Sequence, residues 1–268
     1  MEYKTEVIIL RSWKSKEYDR IYSVFSREHG KMRVVGIGTR RPKAKLASGL
    51  EPLTRSDIFL VKCRALDRVK GTIVLRQYID LKKHLDNLIE SKKTVNILEK
   101  LLGDNEPNEE IFVAIKDYFK IVNRLSGAHI LIEKCQQRLG GRVISKNIPI
   151  TQVLQLALFW KIIYWSGYFP RFKHCTYCNK KVEEKNSYEF ILSQGINCGC
   201  QNNYSNYDNF NKNLKINLSK NTIKLITFLV SQKMSDIEKL KINNGDFQSL
   251  KQFTKLILEQ IIERRVDI

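Results

Sequence analysis

The sequence predicts an α+β multidomain protein, with an N-terminal five-stranded OB-type β-barrel followed by an all-helical body that carries a small cysteine-bearing insertion. Three observations support this. β-Branched and aromatic residues fall in five short runs within the first 80 residues, apolar residues switch to helical spacing after Tyr78, and four of the six cysteines crowd between Cys175 and Cys200. A chain of 268 residues can bury a core in each such part.

The five runs are Tyr3 to Trp13, with Thr5-Glu6-Val7-Ile8-Ile9-Leu10 at its centre, then Tyr18 to Ser26, Lys31 to Gly38, Thr54 to Cys63 and Thr72 to Tyr78. His29-Gly30 supplies a turn between the second and third. Gly36 and Gly38 point to a sharp bend of the kind a small closed barrel needs. An SH3-like barrel competes with the OB-type barrel at this stage.

Leu81, Leu85, Leu88, Ile89, Val95, Leu98, Leu101 and Leu102 then repeat at helical intervals, and Gly103 ends the run. Pro107-Asn108 precedes a helix with Ile111, Phe112, Ile115, Phe119 and Val122, and a third is expected from Ala128 to Leu139, stopping at Gly140-Gly141. Thr151 to Tyr168 is apolar nearly all round, as a central buried helix should be. Ser219 to Gln232 and Phe247 to Arg265 supply two more helices, the last with a stripe of Phe247, Leu250, Phe253 or Thr254, Ile257 and Ile261. Residues 171–218 break the pattern. The expected division is therefore 1–80 for the barrel, 81–170 for the first helices, 171–218 for the insertion and 219–268 for the last helices.

Within the insertion, Cys175-x2-Cys178 and Cys198-x-Cys200 are separated by a hairpin's length of chain. Two paired knuckles of this kind can close four thiolates around one structural Zn2+, and four protein ligands leave no open position for catalysis. His174 sits beside Cys175, but adjacent side chains seldom reach one ion. Cys63 and Cys135 are isolated and are expected to fill core space.

Charge supplies the second functional signal. The chain has 47 Lys+Arg against 28 Asp+Glu, a net charge of +19, and residues 1–80 alone hold 18 against 9. Such a field attracts polyanions. Lys31, Arg33, Arg40, Arg41, Lys43 and Lys45 fall in a stretch without one acidic residue, and Pro42 marks its end as a loop leaving the third strand. A mobile basic loop there suits phosphate contact, with Arg11, Lys14 and Lys16 as neighbours. Of the nearby aromatics, Trp13 and Tyr18 are candidates to stack on bases, whereas Tyr22 and Phe25 are expected to pack the barrel core.

Other classes find little support. No apolar run reaches the ~18 residues of a membrane span. The start, MEYKTEV, lacks the apolar stretch of a signal peptide, so a soluble cytoplasmic chain is expected. Phosphate-binding loop, nucleophile-elbow and zinc-protease motifs are absent from the sequence. Scattered histidines and helix-start acids such as Glu109-Glu110 suggest a binder rather than an enzyme. An OB-fold RNA-binding or ribosome-associated protein with a structural zinc site remains the alternative.

The residues also carry a family resemblance. Tyr18-Asp19-Arg20, Phe25-Ser26-Arg27-Glu28-His29-Gly30-Lys31, Gly38-Thr39-Arg40-Arg41-Pro42-Lys43, Gly49-Leu50-Glu51-Pro52-Leu53 and the Leu66-Asp67 turn resemble the N-terminal signature of the bacterial recombination-mediator family RecO. Glu106-Pro107-Asn108, and Gly167-Tyr168-Phe169-Pro170 followed by Cys175-x2-Cys178, are similar to its helical domain and zinc-binding insertion. The second cysteine pair departs from the family's usual C-x2-C. The resemblance implies an OB domain, a helical domain and a zinc ribbon-like module with one structural Zn2+ on Cys175, Cys178, Cys198 and Cys200. It further implies a nucleoid-associated protein that binds single- and double-stranded DNA and anneals complementary strands. Its implied partners are RecR, often RecF, and the acidic C-terminal tail of the single-stranded DNA-binding protein SSB, with RecA loading on SSB-coated DNA as the outcome. Phosphate contact would fall to Arg11, Lys14, Lys31, Arg33, Arg40, Arg41, Lys43 and Lys45.

Overall fold

Alternating side chains build the first sheet. In a computed structural model that describes residues 1–139 (129–139 as backbone), 149–183, 185–192, 195–200 and 215–268, β1 (Glu2–Lys14), β2 (Arg20–Ser26), β3 (Gly30–Gly36), β4 (Thr54–Val61) and β5 (Asp67–Gln77) close a barrel in the order β1-β2-β3-β5-β4. All ladders are antiparallel except β3–β5, the arrangement of an OB-type barrel. Strand β1 is long enough to serve two neighbours: Glu2–Ile9 pair with β4, and Val7–Lys14 pair with β2. A register shift between Ile9 and Arg11 lets the strand coil from one partner to the other. The lumen is filled by Val7 and Ile9, Tyr22 and Val24, Val34, and Ile58 and Leu60, every second residue of their strands. Each such side chain contributes about 1.5–3 kcal/mol of burial. A single 3-10 turn, Ser48–Leu50, plugs one end with the fully buried Leu50.

β5 begins at Asp67, earlier than the β-former run from Thr72, because Val69 joins the core and the Tyr3 hydroxyl donates to the Asp67 carboxylate. The turn before β3 needs glycine: Gly30 has φ +71°, and a Cβ there would lie 2.4 Å from the backbone of Glu106.

The helices that follow belong with the barrel to one compact unit, residues 1–147. They are α1 (Ile79–Lys83), α2 (Leu85–Leu101) and α3 (Glu109–Leu139). The last is one continuous helix where the sequence predicts two. Its polar interruption is used: the Asn123 side chain accepts from Leu81 N at 3.1 Å and donates to Asp80, tying α3 to α1. Asn108 starts α3, its side-chain oxygen accepting from Ile111 N at 2.9 Å. On the barrel, Phe25 stacks on Phe112 of α3, and Ile8 and Leu10 on the outward side of β1 are buried as well. The predicted stop at Gly140-Gly141 lies outside the described residues, as do the side chains of His129 and Cys135. Cys63 departs from expectation: it sits exposed in the β4–β5 turn instead of the core.

The second unit, residues 148–268, is built on α4 (Ile150–Trp165), buried along most of its length. The helices α5 (Lys220–Ser231), α6 (Met234–Ile237) and α7 (Asn244–Ile262) complete the helical part. Ser219 and Asn243 cap α5 and α7 through their side chains. Trp160 joins α4 to α7, stacking on Phe253 and donating from Nε1 to Thr254 Oγ1 at 2.8 Å. The insertion forms a three-stranded sheet in the order β7-β6-β8, from β6 (Ser187–Ile191), β7 (Gly195–Asn197) and β8 (Lys215–Ser219). Phe190 of β6 meets Phe253 edge-on, giving the sheet an apolar seat. The polar tract 201–213 lies outside the described residues. Among the described residues no helix is long and apolar enough to cross a membrane.

Candidate nucleic-acid surface and candidate metal centre

Pairing register decides which basic side chains share a face. Arg11 of β1 and Arg33 of β3 flank Ser23 of β2 in one row, and Trp13, Ile21 and Val35 form the next row on the same outward face. Neighbouring strands put such side chains within about 5 Å of each other. Arg33 lies over the Trp13 ring at 5.9 Å. Lys14 and Arg20 pair at the end of this ribbon, both exposed. Arg11 and Arg20 also line a cleft of about 480 Å³, together with Lys82, Lys92 and Glu51.

The start of the basic loop is tied to the β1–β2 loop by hydrogen bonds. Asp19 accepts from Gly38 N at 2.8 Å, the Tyr18 carbonyl accepts from Arg40 N at 3.0 Å, and the Arg40 guanidinium donates to the Glu17 carbonyl. Gly38 adopts φ +64°, and successive turns through Arg41, Ala44 and Ala47 carry the chain to the Ser48–Leu50 plug. The Arg41 guanidinium lies 5.3 Å over the exposed Tyr18 ring. The β1–β2 loop and the segment 37–41 are thereby zipped together, and Lys43 and Lys45 stay exposed on the turns beyond, without an ion pair among the described residues.

Seven of the eight residues singled out from the sequence thus stand exposed: Arg11, Lys14, Arg33, Arg40, Arg41, Lys43 and Lys45. Lys31 differs. Its ammonium donates to the Glu99 carbonyl of α2 at 2.7 Å and pairs with Asp104 at 3.0 Å, so it is spent inside the fold. Of the aromatics, Trp13 and Tyr18 line the basic surface, each carrying an arginine, while Tyr22 fills the lumen and Phe25 packs on Phe112. Sequence reasoning missed Arg20; its signal was its place inside the β-run that starts at Tyr18.

The cysteines meet in the second unit. Cys175 Sγ lies 3.7 Å from Cys200 Sγ, Cys178 Sγ lies 3.6 Å from Cys198 Sγ, and all four sulfurs fall within 4.8 Å of one another. Zinc–sulfur bonds of about 2.3 Å imply tetrahedral S···S edges of about 3.8 Å, so the donor set fits that ion. The first knuckle is a tight turn in which Cys175 N donates to the Lys180 carbonyl and Asn179 N to the Cys175 carbonyl. Thr176 N bonds the Ile196 carbonyl and fixes this knuckle to β7. Gly199, at φ +88°, supplies the left-handed bend that lets two cysteines one residue apart turn their sulfurs to the same centre, which is how a C-x-C pair serves where C-x2-C is usual. Burial acts to raise the Cys175 thiol, but the N–H groups of Cys178, Cys198 and Tyr177 outweigh it and bring it to about 6. The neighbouring Cys198 thiol and burial push Cys200 up to about 12. Four sulfurs this close repel as thiolates unless a cation sits among them. His174 is no member of the group; its backbone bridges to Lys181.

Comparison with known proteins covers both units. Residues 1–78 match the family described as recombination protein O N terminal, and residues 152–267 the family described as recombination protein O C terminal. The chain is 26% identical over 265 residues to a DNA repair protein RecO of Alkaliphilus metalliredigens, covering 98% of this chain and 95% of that relative. It is 26% identical over 255 residues to the DNA repair protein RecO of Thermodesulfovibrio yellowstonii, covering 94% and 90%. A shorter match, 24% over 184 residues, is to the protein of the same name in Myxococcus xanthus, covering 68% and 66%.

Proposed function

Because the chain belongs to the RecO family of DNA repair proteins, we propose that it is a non-catalytic mediator that binds single- and double-stranded DNA on its barrel and anneals complementary strands. The observation that carries this reading is the union of the β1–β2 loop with the segment 37–41. It gathers Arg40, Arg41, Lys43 and Lys45 at the end of a ribbon that already holds Arg11, Lys14, Arg20 and Arg33. Each phosphate neutralised releases condensed counterions, which favours binding and makes it salt-dependent. Two strands held on one cationic surface repel less, so complementary bases can meet without covalent chemistry or nucleotide hydrolysis. Trp13 and Tyr18 offer ring faces beside those cations, where unpaired bases stack without regard to sequence.

Cys175, Cys178, Cys198 and Cys200 would hold one structural Zn2+, which cross-links the two knuckles and offsets their thiolate charge. As for other members of the family, the wider role proposed is cytoplasmic: with RecR, and often RecF, the protein contacts the SSB tail and helps RecA load on SSB-coated single strands.

The test is annealing of two complementary oligonucleotides, bare and SSB-coated, by the purified protein without nucleotide. Acceleration that persists on the coated strands is the expected result. No acceleration on either substrate would overturn the reading.

A further inference from the structure

The barrel is closed unevenly. β5 pairs with β4 along nearly all its length, from Arg68 opposite Val61 to Gln77 opposite Thr54, but with β3 only at Asp67 and Arg68. β3 ends at Gly36 and the chain turns away at Gly38, so among the described residues no strand lies along the second edge of β5 from Val69 to Gln77. The Ser48–Leu50 turn seals the lumen behind this edge, with Gly49 pressed against Thr72 and the Gln77 side chain donating to the Ser48 carbonyl. It does not cover what projects outward. Ile73 is 51% exposed, and Val74 and Leu75 are 39% exposed each. Among the described residues, the backbone hydrogen bonds of 69–77 run to β4 alone. An unpaired edge bearing three consecutive β-forming aliphatic residues is a template for another strand, which folded proteins normally cover, charge or interrupt.

We infer that this edge of β5 is a docking site for an extended, acidic segment of a partner protein, added as a further strand beside residues 69–77. The chemistry selects the occupant. Arg68 and Arg76 flank the aliphatic stretch and are exposed, and the surrounding 80 residues hold 18 Lys+Arg against 9 Asp+Glu. Lys70 is already paired with Glu2 at 2.7 Å. A second copy of the chain would bring the same positive barrel against the first, whereas aspartates and glutamates alternating with aliphatics would meet both the cations and the apolar side chains. A nucleic-acid strand fits less well, since no aromatic ring lies between Val69 and Gln77 for bases to stack on. Main-chain hydrogen bonds would give the affinity and the alternating side chains the selectivity, as in other strand-addition complexes. The inference rests on the barrel edge alone and is independent of the DNA-binding reading.

The probe is a fluorescent seven-residue peptide of alternating valine and glutamate, titrated into the full-length protein and followed by anisotropy. Binding is expected. It should weaken at least tenfold in an Ile73→Ser/Leu75→Ser variant, which removes the apolar contacts without changing charge, and at least tenfold for a peptide whose backbone amides are N-methylated at alternate positions. The methylated peptide tests the wild-type protein and is indifferent to how the variant folds. Amide exchange over residues 70–76 should slow when the unmethylated peptide is added. Failure of the peptide to bind, equal binding of a valine–lysine peptide, or insensitivity to both changes would overturn the proposal. So would a sedimenting dimer that the double serine variant splits, which would give the edge to a second copy. Loss of oligothymidine binding in that variant, with peptide binding unchanged, would give it to nucleic acid.

Discussion

The barrel and the cysteine module solve opposite problems. On the barrel, the cations stand at the tips of side chains whose backbone is held by a separate apolar core of Val7, Ile9, Tyr22, Val24 and their neighbours. Removing a surface cation leaves that core untouched. In the module, the described residues of 173–200 bury few apolar side chains, chiefly Phe190, Ile191 and Ile196, and beyond the Thr176–Ile196 backbone bond the two knuckles meet at the four sulfurs. There the site is itself the framework. The lesson is that one functional region tolerates gradual change while the other is all-or-none.

Breaking the metal centre should therefore have the largest effect. Cys175→Ser should reduce zinc from about one per chain to near zero, as measured by metal analysis of protein purified without added zinc. Structural zinc contributes on the order of 10 kcal/mol to folding of small zinc domains, so β6 and β7 should lose amide protection while the barrel keeps it. Protection of 187–197 equal to wild type would place the module's stability in its aliphatic residues and erase the contrast.

The next effect is graded. Arg41→Ala/Lys43→Ala/Lys45→Ala should leave the melting temperature unchanged and weaken single- and double-stranded DNA binding alike, by roughly 10–100-fold near physiological salt. The slope of log K against log salt should flatten by up to about 3, the number of phosphates released. Arg40 is left in place because its guanidinium also holds the loop to the Glu17 carbonyl, so changing it would mix binding with folding.

A third test concerns a cation that the fold itself consumes. Lys161 is only 4% exposed, and its ammonium donates to the carbonyls of Val230 and Gln232 at the end of α5, at 2.8 and 2.6 Å, close to the Trp165 ring. Burial pushes its pKa down to about 8 from an ordinary 10.5. The unfolded chain then binds more protons between those values, so stability rises with pH from about 8 to about 10.5, and the gain is lost as pH falls through 8. The two carbonyls and the ring favour the charged form and limit the gain to about 1 kcal/mol. Lys161→Met should abolish that pH dependence in denaturant titrations and cost about 1–3 kcal/mol through the carbonyls left unpaired.

How much of this was legible in the sequence follows from the same distinction. Clustering of β-branched and aromatic residues marked all five strands. It could not reveal where β3 stops pairing with β5, since register is a property of two segments. In the sequence one helix is expected to end near Val122 and another to start at Ala128, yet Asn123 in the gap bonds across to α1 within one continuous helix. A polar residue that satisfies a neighbouring helix looks, in one dimension, like one that ends its own. The four cysteines were readable from spacing because thiolates at such intervals have few other uses. The seven exposed cations were readable as a charge run, but their zipping through Asp19 to Gly38 N was not, because nothing in the order of residues tells a mobile loop from a pinned one.

Lys31 is where the contrast is sharpest, and it has the smallest expected effect. By position it opens the same basic stretch as Arg33 and Arg40, and charge counting places it on the DNA surface. By geometry it belongs to the framework: its side chain is 13% exposed, its ammonium bonds the Glu99 carbonyl near the end of α2, and its own carbonyl accepts from Asn105 N at 2.8 Å. The ion pair with Asp104 adds little, because that carboxylate is mostly in water. Lys31→Ala should therefore cost about 1 kcal/mol of stability, for one lost hydrogen bond to a helix terminus, and leave the salt slope of DNA binding unchanged. The opposite result, a slope reduced by about 1 at constant stability, would mean that Lys31 leaves Glu99 for a phosphate when DNA arrives. The boundary between framework and binding surface would then run through this side chain rather than around it.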